Sequence, residues 1–123
     1  MKKIEYMKHI TRKIVQSNPN KIFLFGDNLL ERGYGGQAKE MRGEPNAIGI
    51  PTKKKPSLTP GSFFTDDEFV ENTEAIDKSF DKIPKDCTIV IPEAGLGTGL
   101  AELSKRSPNT YEYLQIRING LVG

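Results

Sequence analysis

Apolar positions along the chain alternate between continuous runs and helical spacing. Ile22 to Phe25 is an unbroken apolar run, the pattern of a strand buried on both faces. Ala47 to Ile50, closed by Pro51, predicts a second such strand, and Thr88 to Ile91 a third. Between the last two, Phe69, Val70, Thr73, Ile76 and Phe80 recur at helical spacing. Asp66 is placed to cap that helix and Pro84 to end it. Ile10 and Ile14 predict a short helix over 10–17, stopped by Asn18-Pro19-Asn20. Residues 35–41 predict a helix behind a glycine-dense turn. Ser107-Pro108 is a helix entry, Tyr111, Leu114 and Ile118 share one face of the last helix, and Gly120 can terminate it. The order α, β, α, β, α, β, α implies a compact three-layer α/β/α domain around a parallel or mixed sheet. The 123 residues predict a single domain, with residues 1–20 an amino-terminal extension packing on its core.

Composition narrows the function classes. Eighteen basic and 16 acidic residues leave a formal net charge of +2, too balanced for a nucleic-acid signature. No apolar run approaches the roughly 20 residues of a membrane span. Met1-Lys2-Lys3 leads into polar sequence with no signal-peptide core. Cys87 is the only cysteine, which excludes an intrachain disulfide and suits a reducing compartment. The expectation is a cytoplasmic protein with no membrane partner. No Cys/His or dense carboxylate cluster is present, so the residues demand no metal or cofactor.

Candidate chemistry gathers at the expected strand ends. After the first strand come Gly26-Asp27-Asn28 and then Gly33-Tyr34-Gly35-Gly36. After the third come Gly95-Leu96-Gly97-Thr98-Gly99. Glycine-dense turns between strand and helix let backbone N–H groups approach an anion, with the helix N-terminus adding positive charge. Two of them suggest a clamp for a ligand with two phosphates. Neither turn is a dinucleotide fingerprint, and there is no P-loop lysine. Leu96 and Leu100 alternate with the glycines and can anchor the second turn, and Thr98 adds a hydroxyl. Asp27 and Asn28 either shape a local turn or contact a sugar. Tyr34 either covers a ribose or base or is a plain loop aromatic. Residues 51–65 form a long loop with Lys53-Lys54-Lys55 at its start. One of these lysines can pair with phosphate or, desolvated, act as a nucleophile; otherwise the run is a solvated face. Glu93 and Glu102 are the nearest acids, and each reads equally well as a surface carboxylate.

These motifs resemble a macrodomain, the ADP-ribose-binding α/β module, over roughly residues 21–119. The first element of the resemblance is Gly26-Asp27-Asn28 through Ala38, and the second is Ile91-Pro92 through Leu103. Ile50-Pro51-Thr52-Lys53-Lys54 is similar to the branch that includes terminal ADP-ribose–protein glycohydrolases, in compact forms found in bacteria and their phages. The resemblance implies that a lysine, here Lys53 or Lys54, attacks the distal ribose, with Asn28 and Asp27 against that ribose. The branch's aspartate after the glycine loop falls on Ala101, with Glu102 one residue later. Macrodomains also begin with a strand whose Gly-Asp reads adenine, and residues 1–17 lack that pair.

Three readings follow. In the first, the chain binds ADP-ribose or a related NAD-derived nucleotide diphosphate without turnover. The glycine-loop residues named above are then the ligand contacts. In the second, it is a hydrolase removing ADP-ribose from protein or nucleic acid, with Lys53, Lys54, Asn28 and Glu102 as candidate catalytic residues. In the third, it is a protein-interaction module without a ligand.

Overall fold

The computed structural model describes residues 2–122. Four parallel strands form one sheet: β1 (Lys2–Met7), β2 (Lys21–Asn28), β3 (Ala47–Lys53) and β4 (Cys87–Pro92), in the order β1-β4-β2-β3. Five α-helices complete the domain: α1 (Arg12–Ser17), α2 (Ala38–Met41), α3 (Phe69–Phe80), α4 (Leu103–Arg106) and α5 (Pro108–Gly120).

Alternation along the strands sorts the core into two layers. Leu24, Ile50, Ile89 and Ile91 face one side and pack with Ile76 and Phe80 of α3 and Leu114 and Ile118 of α5. Phe23, Phe25 and Val90 face the other side, with Val15 of α1 and Ala38 and Met41 of α2. The expected α/β architecture is therefore present, with helices on both faces of a parallel sheet.

Several elements depart from the sequence reading. The chain opens with a strand rather than a helix. In β1, charged Lys2, Lys3 and Glu5 interrupt the apolar positions, because the strand lies at the sheet edge and pairs only with β4. This strand carries no Gly-Asp pair. β2 does not stop at Phe25: Gly26, Asp27 and Asn28 remain hydrogen-bonded in the sheet beside Ile50, Pro51 and Lys53. Pro51 does not close β3, which runs on to Lys53; as the opposite edge strand it tolerates a residue without an N–H. The helix over 35–41 shrinks to the single turn of α2.

Asp66 does not cap α3. Its carboxylate instead accepts from Ser107 Oγ at 2.8 Å and from Asn109 N at 3.1 Å, and so caps α5 from the short 3-10 turn Asp66–Glu68 that precedes α3. The Ser107 hydroxyl, used in that contact, makes no cap bond of its own. Cys87 is half-buried at the head of β4 and packs against the core. Among the described residues, no helix is long and apolar enough to cross a membrane.

Candidate functional site

Ligand crevices in open parallel sheets lie beyond the carboxyl ends of the strands, where neighbouring strands send their connections to opposite faces. β2 continues into α2 on one face, and β4 continues through α4 into α5 on the other. The two strands are neighbours, so the switch point falls between them. A cleft of about 560 Å³ opens there. Its walls bring together Gly26, Asp27 and Asn28, the Gly33–Gly36 turn with Tyr34, Lys53, and Gly95, Gly97, Thr98 and Gly99.

Close backbone packing holds the second glycine turn against β2. A Cβ on Gly26 would sit 3.3 Å from the amide nitrogen of Gly97. Gly97 has φ +74°, and a Cβ there would lie 3.0 Å from Thr52 Cγ2 and 3.1 Å from Leu103 Cβ. Gly97 is thus required by the fold itself, and a Gly97→Val change would disrupt this packing whether or not an anion binds. Gly99 is different. It lines the same cleft, and a Cβ there would meet nothing within 4 Å.

Backbone amides of both glycine turns that line the cleft are left without protein acceptors. Among the described residues, the N–H groups of Tyr34, Gly35 and Gly36, and of Thr98, Gly99 and Leu100, have no protein acceptor. Helix dipoles add little, because α2 and α4 are single turns. Arg32 brings positive charge to the walls.

The polar side chains of β2 are engaged internally. Asp27 is buried and makes a two-pronged pair with Arg42, with Nη2–Oδ1 at 2.5 Å and Nη1–Oδ2 at 3.1 Å. Its Oδ1 also accepts from the Asn28 amide at 2.8 Å. Asn28 shapes the next turn: its Nδ2 donates to Arg32 O at 2.7 Å and its Oδ1 accepts from Leu30 N at 3.0 Å. Arg42 then grips the first glycine turn, donating from Nε to Gly33 O at 2.8 Å and from Nη2 to Arg32 O at 3.1 Å. Sequence reasoning missed Arg42. Nothing in its local pattern marks a residue that acts across 15 positions of chain.

The two candidate lysines separate. Lys53, at the end of β3, contributes to the cleft lining and is only 8% exposed, while Ser57, Phe63, Arg106 and Glu102 around its amine lie outside that lining. Its Nζ donates to Ser57 O at 2.6 Å and lies 4.6 Å from the centroid of the Phe63 ring. The Arg106 guanidinium lies 3.6 Å from the same centroid. Burial foremost, and then the Arg106 charge, hold the Lys53 pKa below the ordinary lysine value, while Glu102 opposes them. Lys54 lies outside the cleft lining and pairs with Glu68.

Leu96 and Glu102 lie outside the lining as well. Leu96 is buried in the core and anchors the turn from below. Leu100, expected to anchor it too, is 58% exposed and reaches into the cleft. Glu102 sits in the left-handed region at φ 46° and faces Arg106 at 3.5 Å and Lys105 at 3.8 Å. Glu93 is exposed and pairs with Lys8 at 3.7 Å. A second groove, about 690 Å³, follows β3 and α3, but its lining holds no part of the Gly95–Gly99 turn.

The chain matches the model of a family of unknown function (DUF7831) over residues 5–117 and belongs to that family. No curated protein and no solved structure matches it.

Proposed function

Since the family carries no assigned activity, we propose from the cleft that the protein binds ADP-ribose or a related NAD-derived nucleotide diphosphate. One observation carries this reading: two separate glycine turns with acceptor-free amides line a single cleft that Arg32 also lines. Amide donors and a cation lining one concavity suit an anion with more than one phosphate. The sequence resemblance to macrodomains supplies the identity of that anion. Calorimetric titration with ADP-ribose, with ADP, AMP and NAD as controls, tests it. Micromolar binding selective for ADP-ribose is expected. Silence across all four from folded protein overturns the reading and favours an interaction module.

One residue favours hydrolysis as a second reading. Lys53 is the lysine of the candidate pair that contributes to the cleft lining, and its lowered pKa enlarges its neutral, nucleophilic fraction. The hydrolase reading predicts release of ADP-ribose from modified protein or nucleic acid. Lys53→Ala would abolish that release while ADP-ribose still binds. Release that persists in Lys53→Ala rules out the lysine mechanism.

A further inference from the structure

Building on the nucleotide-diphosphate reading of the cleft, we propose that Tyr34, Leu58 and Leu100 form an apolar clamp that receives the ligand's planar base. These side chains are 66%, 66% and 58% exposed, come from three different loops, and all line the cleft. Large apolar groups left in water at a concave site mark a surface that something covers.

The loops carrying them meet around Tyr34. On one side, a Cβ on Gly33 would lie 3.1 Å from Pro56, in the loop that also carries Leu58. On the other side, a Cβ on Gly35 would lie 3.1 Å from Leu100 Cδ1. Tyr34 therefore stands between two seams, with an exposed leucine in the loop behind each. The glycines flanking it let both loops approach that closely.

The remaining lining includes the glycine-turn backbone and Arg32, which suit phosphate and sugar oxygens, beside small apolar residues such as Ala94 and Ala101. A bare diphosphate or a sugar phosphate would leave the three apolar side chains in water. A nucleobase has a flat face for the Tyr34 ring and edges for the two leucines. The same cleft would then read both ends of one ligand: charge through the glycine turns, and the ring through the clamp.

Calorimetric titrations of the full chain with ADP-ribose and with inorganic pyrophosphate separate the two contributions. Tyr34→Ser, and the double change Leu58→Ser with Leu100→Ser, alter exposed positions, so unfolding temperatures should match wild type. Loss of the stacking face is expected to weaken ADP-ribose binding about tenfold or more, with pyrophosphate binding unchanged. The double change is expected to act in the same direction. Unchanged ADP-ribose affinity in these variants overturns the clamp but leaves the anion site standing. Equal weakening of both probes also overturns it, because the effect is then not directed at the ring. Wild-type protein that binds neither probe overturns the anion site and the clamp together.

Discussion

Two glycines of the second turn have opposite roles. Gly97 combines a positive φ with a Cβ position already occupied by Thr52 and Leu103. Gly97→Ala should therefore cost about 2 kcal/mol by overpacking and strain, seen as a lower midpoint in urea denaturation. Gly99 has open space at its Cβ. Gly99→Val should leave that midpoint within about 0.5 kcal/mol of wild type while its side chain blocks anion approach. Lys53 offers a second residue-level test. Its folded pKa lies below the unfolded value of 10.5. Below the folded pKa the lysine is charged in both states, and burying that charge opposes folding. Between the two values the unfolded chain binds more protons than the folded one, so stability rises with pH. Denaturation across alkaline pH should show wild type gaining stability relative to Lys53→Met up to about 10.5. A constant difference over that range would show that burial does not perturb the group. The sequence placed Lys53 and Lys54 on equal terms, because no local pattern shows that β3 ends between them or that Lys54 pairs with Glu68, 14 positions on.

At the scale of elements, Arg42 links α2 to both β2 and the first glycine turn. It meets a buried carboxylate and two turn carbonyls with one guanidinium. Arg42→Ala would leave Asp27 buried and unpaired, and removing one member of a buried pair costs about 3 kcal/mol or more. The turn would also lose its clamp. Limited proteolysis between Glu31 and Gln37 should accelerate beyond what the global stability loss explains. Arg42→Lys should rescue charge but not the two-pronged geometry, and so recover only part of the stability. Cleavage unchanged in Arg42→Ala would show that Asn28 alone holds the turn. Element types were legible where burial is two-sided, as in β2 and β4, because the apolar runs are continuous there. They were illegible at the edges. β1 and the second half of β3 carry Lys, Glu, Pro and Thr, residues that an edge strand accepts and that a pattern search takes for loop. The Asp66 cap on α5 was equally hidden, since it spans 43 positions of chain to Asn109.

At the scale of the whole molecule, sequence places glycine turns after strands, but only the strand order makes them face each other. Were β4 beyond β3 rather than beside β2, the two turns would open on different crevices. The β1-β4-β2-β3 order puts β2 and β4 side by side, and their onward helices lie on opposite faces. A ligand bridging both turns therefore ties the two helical layers together through the sheet edge. It binds only the folded arrangement, because no unfolded conformer holds both turns at that separation. At about 100 times its dissociation constant, such a ligand stabilises the native state by about 2.7 kcal/mol. For a domain of this size that corresponds to an increase on the order of 10 °C in Tm. Thermal unfolding with and without saturating ADP-ribose should show that increase in wild type. Gly99→Val should unfold at the wild-type temperature without ligand and show little increase with it. A ligand held by one turn alone would still raise Tm in Gly99→Val through the first glycine turn. The size of the increase remaining in that variant therefore measures how far binding depends on the two turns acting together.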